Sequence, residues 1–309
     1  MKTVYGISHW KQRFKNPVLA IGVFDGLHLG HQDLMRTTVR KARQIKGTAA
    51  VMTFSPHPVQ VLHPEDHLPL ITPLPYRLKL LENCGIEVCL VVHFTKKFSH
   101  LTPEQFIRRY IVKTVKAKII IVGDDFRFGQ DRAGTLNLFQ EAGKKYGFSV
   151  IGLHQVKRNK KIISSTLIRR WITEGKFTQA ARLLGRPVAL YGKVVRGSHR
   201  GKSLGFPTAN INLSQEVIPP LGVYAVNVFW EGKKYRGVAN LGRRPSFSRN
   251  GRVKLEVHIL NFHKNIYGKE IKVELLKKIR SEKYFSSREK LIRQIHQDAK
   301  KARNFIKHQ

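Results

Sequence analysis

The chain has 309 residues, 41% of them hydrophobic, which is enough for an ample core and fits two domains better than one. Against 20 Asp and Glu stand 57 Lys and Arg, a formal net charge of +37 that draws anions and polyanions at low salt. No run of about 18 apolar residues occurs and residues 1–15 lack the apolar stretch of a secretory leader, so a membrane span is excluded and a cytoplasmic location is expected.

Taken in chain order, Pro17 to Phe24 reads as a buried strand and Gln32 to Arg40 as a helix. Between them runs Gly22-Val23-Phe24-Asp25-Gly26-Leu27-His28-Leu29-Gly30-His31. The glycines permit tight turns and close backbone approach, and a helix starting near Gly30 offers unpaired N–H groups and a positive dipole end to an anion. Imidazoles at His28 and His31 can donate to phosphate oxygens and stabilise charge developing there. The loop is therefore a candidate for handling a nucleoside triphosphate; the alternative is a pair of surface histidines on a glycine-rich turn.

Ala49 to Phe54 is the next strand, stopped by Ser55-Pro56-His57-Pro58, which presents His57 at a strand end. Cys84 and Cys89 have no second pair to complete a metal site, so free thiols are expected rather than a disulfide or zinc. Helix-like segments, Tyr76 to Asn83 and Pro103 to Lys116, precede the apolar runs Ile86 to Val92 and Lys118 to Val122. Strand and helix alternate, which predicts a parallel α/β sheet, and ligands of such sheets bind beyond the carboxyl ends of strands. Gly22 to His31, Ser55 to Pro58 and Gly123-Asp124-Asp125-Phe126-Arg127-Phe128-Gly129 all lie at such ends. Ile163-Ser164-Ser165-Thr166-Leu167-Ile168-Arg169 follows, with hydroxyls where a helix begins; these suit a phosphate and equally suit helix capping.

After the helix-like Thr178 to Leu184, Gly185-Arg186-Pro187 breaks the pattern. Short alternating strands then run over Val188 to Val195, Gly222 to Trp230, Lys234 to Asn240, Val253 to Leu260 and Glu270 to Leu276, the signature of a small antiparallel β-barrel. Ser287 to Lys307 returns to helical spacing. The boundary is expected at residues 186 and 187. Basic residues are spread along the whole length; even 262–309 holds 14 Lys and Arg against 5 Asp and Glu, with no recognisable nucleic-acid module.

The four N-terminal motifs, in this order, resemble the FAD synthetase half of the prokaryotic bifunctional riboflavin kinases/FAD synthetases. Gly192 to Gly197, Gly201-Lys202-Ser203-Leu204-Gly205-Phe206-Pro207-Thr208-Ala209-Asn210, Gly222-Val223-Tyr224-Ala225 and Leu255-Glu256-Val257-His258 resemble the kinase half. The resemblance implies a Rossmann-like nucleotidyltransferase domain followed by a kinase barrel with a C-terminal helix. It implies adenylylation of FMN to FAD with release of pyrophosphate in residues 1–186, and ATP-dependent phosphorylation of riboflavin to FMN in residues 187–309.

For the first half, the resemblance implies that Gly22, Phe24, Asp25, Gly26, His28 and His31 bind ATP with Ser164, Ser165, Thr166 and Arg169, while His57, Asp125 and Arg127 line the FMN pocket. For the second, Gly197, Gly201, Gly205 and Pro207 would shape a loop over ATP. Thr208 and Asn210 would offer oxygens to Mg²⁺, and Glu256 would be the base for the ribityl hydroxyl. Read by periodicity alone, Glu256 is a solvated residue on the polar face of a strand, and Thr208 and Asn210 are turn residues. The chain departs from the pattern of many relatives at Leu221, Arg243, Ser246 and Asn261, which bears on loop closure and flavin affinity. Rival readings are another nucleotidyltransferase with the same histidine motif, and, ranked last, a basic nucleic-acid-binding protein. Assembly into a homo-oligomer is left open.

Overall fold

The structure is a computed structural model and describes residues 1–11, 14–158, 161–197, 205–214, 217–243 and 253–307. It forms two compact units, residues 1–68 with 74–165, and residues 69–73 with 166–309.

The first unit is built on a six-stranded sheet: β1 (Lys2–Tyr5), β2 (Val18–Ile21), β3 (Ala49–Ser55), β4 (Val88–His93), β5 (Ile119–Gly123) and β6 (Ser149–Leu153). All pairings are parallel, in the order β1-β4-β3-β2-β5-β6. Every residue of β2 is buried, as expected of a central strand covered on both faces. The connecting helices are α1 (Leu29–Gln44), α2 (Pro58–Leu62), α3 (Leu74–Asn83), α4 (Lys96–Ser99), α5 (Pro103–Phe106) and α6 (Leu136–Tyr146). The chain winds from β2 through β3 to β4, then returns to lay β5 on the other side of β2. That reversal opens a crevice beyond the ends of β2 and β5, where ligands of open α/β sheets bind.

The expected helix over 103–116 differs in kind. After the capping box of Thr102 and Gln105 on α5, residues Ile107–Val115 have π-type bonding and end at Lys116 in the left-handed region. Ile107, Ile111 and Val115 are its buried residues, and their four-residue spacing stays on one face when the turn is widened beyond 3.6.

In the second unit, α7 (Ser165–Thr173) and α8 (Phe177–Leu184) precede a closed antiparallel barrel. Ser165 itself belongs to the first unit. The barrel strands are β9 (Ala189–Val195), β10 (Ala209–Leu213), β11 (Gly222–Trp230), β12 (Lys233–Arg243), β13 (Val253–Ile259) and β14 (Glu270–Arg280); a short hairpin, β7 (Lys157–Arg158) with β8 (Lys161–Ile162), lies earlier in the chain. Ile211, Leu255 and Leu241 are register partners, as are Leu190 and Val273, and all are buried. They fill the barrel as alternating inward positions must. The last helix, α9 (Arg288–Lys307), packs Ala302 and Phe305 on the outside of the barrel, over Ala225, Val238, Leu276 and Ile279.

Candidate active sites

In the first unit, α1 begins on His28, whose Nδ1 accepts the His31 backbone N–H at 3.3 Å. An Nδ1 that accepts this bond leaves Nε2 as the donor position of the ring. The His28 and His31 rings stack at 3.6 Å, and Phe24 meets His31 edge-on at 5.4 Å. Gly30 makes room for this: a Cβ there would lie 3.2 Å from the His28 ring. The result is two imidazoles at a helix start, at the topological reversal of the sheet.

Asp25 is 2% exposed, and its carbonyl accepts the Ser165 hydroxyl at 2.9 Å. Ser165 thus ties the fourth motif to the first within this unit. Thr166 and Arg169 follow in the second unit, where Arg169 Nε donates to the Pro69 carbonyl at 2.8 Å. Burial pushes the Arg77 guanidinium below its ordinary range, with the charge of Asp25 opposing that shift.

Beside the β2 end lies a cavity of about 840 Å³ that reaches Gly22 and Val23 and includes Asp125 and Arg127 in its wall. Phenylalanines dominate its apolar lining, Phe54, Phe94, Phe98, Phe106, Phe126 and Phe128, beside Val23, Pro58, Leu62 and Leu101. Asp125 is held by Gln155 at 2.7 Å, and Arg127 bonds the Phe126 carbonyl at 3.2 Å. His57, in contrast, caps α2, accepting the Val59 N–H on Nδ1 at 3.1 Å, and is not part of the cavity wall.

In the second unit, register places Asn210, Glu256 and Asn240 in one row across β10, β13 and β12 on the outer face. Gly197 lies against this row; a Cβ added there would come within 2.1 Å of Asn210 Nδ2. Pro207, just before Thr208, is fixed by its carbonyl, 2.9 Å from His258 Nδ1, while Phe206 packs edge-on against His258 and His296 at 5.4 and 4.7 Å. Gly205 has φ +81, a conformation that favours glycine. Gly201 lies outside the described residues, as do Lys202 to Leu204 and Arg244 to Phe247. Of the departures, Asn261 occupies a left-handed turn position after β13 with φ 54, which Asn tolerates well, and Arg243 ends β12.

The FAD synthetase family model matches residues 11–167 and the riboflavin kinase model residues 184–306. The chain belongs to the bifunctional riboflavin kinase/FMN adenylyltransferases. A curated enzyme of that name from Escherichia coli (strain K12) is 39% identical over 99% of this chain and 98% of its own. Its counterpart from Bacillus subtilis is 38% identical over 98% of this chain and 97% of its own. A crystal structure from Streptococcus pneumoniae, described as a macrolide-efflux protein, superposes with a TM-score of 0.83 at 34% identity, covering 98% of this chain and 99% of that one. Among the described residues of this chain, no helix is long and apolar enough to cross a membrane.

As a member of this family, the protein phosphorylates riboflavin to FMN in its C-terminal part and adenylylates FMN to FAD in its N-terminal part, using ATP and a divalent metal. Described residues hold no group of three or more His, Cys, Asp and Glu able to cage a metal. The donor set at Thr208 and Asn210 instead consists of neutral hard oxygens, which suit a small cation sharing phosphate ligands. The glycine at 197, where any Cβ would invade the Asn210 carboxamide, keeps that set uncrowded. Sequence reasoning missed the six phenylalanines of the flavin-sized cavity, because they come from four separate segments; the only signal was a density of aromatic residues between Phe94 and Phe128.

Proposed function

We propose that adenylyl transfer takes place where the stacked His28 and His31 pair adjoins the aromatic cavity. The helix-start amides and the two imidazoles hold ATP phosphates, while the cavity receives the isoalloxazine, whose flat apolar rings suit phenylalanine faces. Asp125 and Arg127 on the wall orient the polar parts of FMN, so that its phosphate attacks the α-phosphorus and pyrophosphate leaves. Ser164 and Ser165, in the same unit, receive the departing phosphates. The single observation that carries this reading is the imidazole stack at 3.6 Å on a helix N-terminus at the sheet's switch point.

For the kinase reaction, we infer that Glu256 accepts the proton of the ribityl hydroxyl. Asn210 and Asn240 flank it in register, which supports a carboxylate held in a polar row rather than a lone solvated side chain. Thr208 and Asn210 would hold Mg²⁺, which when bound neutralises developing charge on the phosphates. Gly205 and Pro207 shape the chain that covers ATP, with Gly197 against Asn210. The functional boundary is proposed at residues 186 and 187, and dependence on ATP supports a cytoplasmic site of action.

Incubation of the protein with riboflavin, ATP and Mg²⁺, with flavins resolved over time, should give FMN followed by FAD. Glu256→Ala should slow FMN formation by about 10³-fold while FAD formation from supplied FMN survives. His31→Ala should do the reverse, slowing adenylylation by about 10²-fold. An unchanged rate in either variant sinks the corresponding assignment.

A further inference from the structure

Beneath the histidine loop lies a buried cation that belongs to none of the four motifs. Arg77, on α3, is 2% exposed. Its Nη1 donates to the Val23 carbonyl at 2.8 Å and lies 3.4 Å from Thr53 Oγ1. Thr53, fully buried on β3, donates its own hydroxyl to the same carbonyl at 3.0 Å. Desolvating a guanidinium is costly, and packing alone could be achieved by an apolar side chain of the same length. The charge is compensated in part by Asp25, two residues beyond Val23 and equally buried.

What this anchor holds is a strained turn. Phe24 has φ 57 and Leu27 φ 36, left-handed values that are unfavourable for side chains of this size and persist only when surroundings over-determine them. The Phe24 ring lies over Gly22, where a Cβ would come within 2.8 Å of it, and meets the His31 ring edge-on at 5.4 Å. His31 in turn stacks on His28. A continuous line of contacts therefore runs from Arg77 through the Val23 carbonyl and the Phe24 ring to both imidazoles.

We propose that Arg77 is a positioning residue for adenylyl transfer: with Thr53 it fixes the Val23 carbonyl, keeps Phe24 left-handed, and so sets His31 and His28 in place for the ATP phosphates. The proposal rests on the assignment of those histidines to ATP phosphates. Val23 also borders the aromatic cavity, so the test reads FMN binding separately from the rate of adenylyl transfer.

The test uses the full chain with FMN and ATP. In Arg77→Met, kcat for FAD formation should fall about 10²-fold, the effect of misplacing a catalytic group by an ångström, while FMN binding, read by flavin fluorescence, stays at the parental value. Arg77→Lys, which keeps charge and a donor, should recover much of the loss. A kcat for Arg77→Met within about twofold of the parent, or a loss of FMN affinity that matches the loss of kcat, overturns the proposal. Should Arg77→Met fail to fold, Thr53→Val carries the test, because it removes the second donor to the same carbonyl without disturbing charge; an unaltered kcat there overturns the proposal as well. In a His31→Ala background, Arg77→Met should cost little more, since the two act through one arrangement. Additive costs overturn the link to Arg77 alone, whereas a parental rate in His31→Ala by itself overturns the phosphate assignment and this proposal together.

Discussion

Gly197 and Gly205 show two different reasons for a glycine in the same loop region. A Cβ at Gly197 would strike Asn210 Nδ2 at 2.1 Å, whereas a Cβ at Gly205 would meet open space but on a backbone with φ +81. Gly197→Ala should therefore displace the Asn210 carboxamide and lower FMN formation by about tenfold, with FAD formation from FMN unchanged. Gly205→Ala should act through backbone strain, costing about 1 kcal/mol, read as a lower melting temperature. The two thiols differ as sharply. Burial pushes the Cys89 thiol up to about 12, while Cys84 is only half-buried. Alkylation of the native protein at about pH 8 should label Cys84 and spare Cys89, which becomes reactive only on unfolding. Neither cysteine is in a disulfide.

At the scale of elements, α9 is joined to the end of β14 by a buried ion pair. Arg280 Nη2 lies 2.9 Å from Asp298 Oδ2, and Asp298 is 2% exposed, with Gln294 on its other oxygen at 2.9 Å. Asp298→Ala leaves the guanidinium half of a buried pair alone, at a cost of about 3 kcal/mol, measurable as a shift in the thermal unfolding of the kinase unit. Residues 166–184 of α7 and α8 fall in the same compact unit as the barrel, and α8 meets it through the Phe177 and Tyr224 rings 5.8 Å apart, with Ala180, Leu183 and Leu184 of α8 buried. A fragment of residues 166–309 should accordingly melt higher than one of residues 187–309, although the change of sequence pattern falls at 187. Equal melting temperatures would show that the helix pair adds nothing. Three strands of the sheet and barrel, besides the two-residue strands β7 and β8, escaped the periodicity reading for a common reason: β1 and β6 are four and five residues at the two sheet edges, and β10 carries Asn210 and Asn212 on its outer face, so none shows a sustained apolar pattern.

For the whole molecule, a net charge of +37 raises the local concentration of every anionic substrate. ATP and FMN are anionic and riboflavin is not. Raising salt from about 0.05 to about 0.5 M shortens the screening length from above 10 Å to a few ångström, so KM for ATP and FMN should rise while KM for riboflavin changes little. A parallel rise for all three would point to a general effect of salt on the fold instead.

Much of this architecture was readable in one dimension. Continuous apolar runs separated by helical spacing define the parallel sheet, period-two alternation after Pro187 defines the barrel, and three motifs at strand ends with a fourth at a helix start mark the candidate site, because each depends on residues close in the chain. The aromatic cavity, the row of Asn210, Glu256 and Asn240, and the Arg77 anchor were decided by tertiary structure alone. Each joins segments tens of residues apart: Arg77 reaches Val23 across 54 positions. Such contacts leave no local period, and a buried arginine on a short helix looks in sequence like any solvated one. Only the pairing of strands reveals which carbonyl it serves.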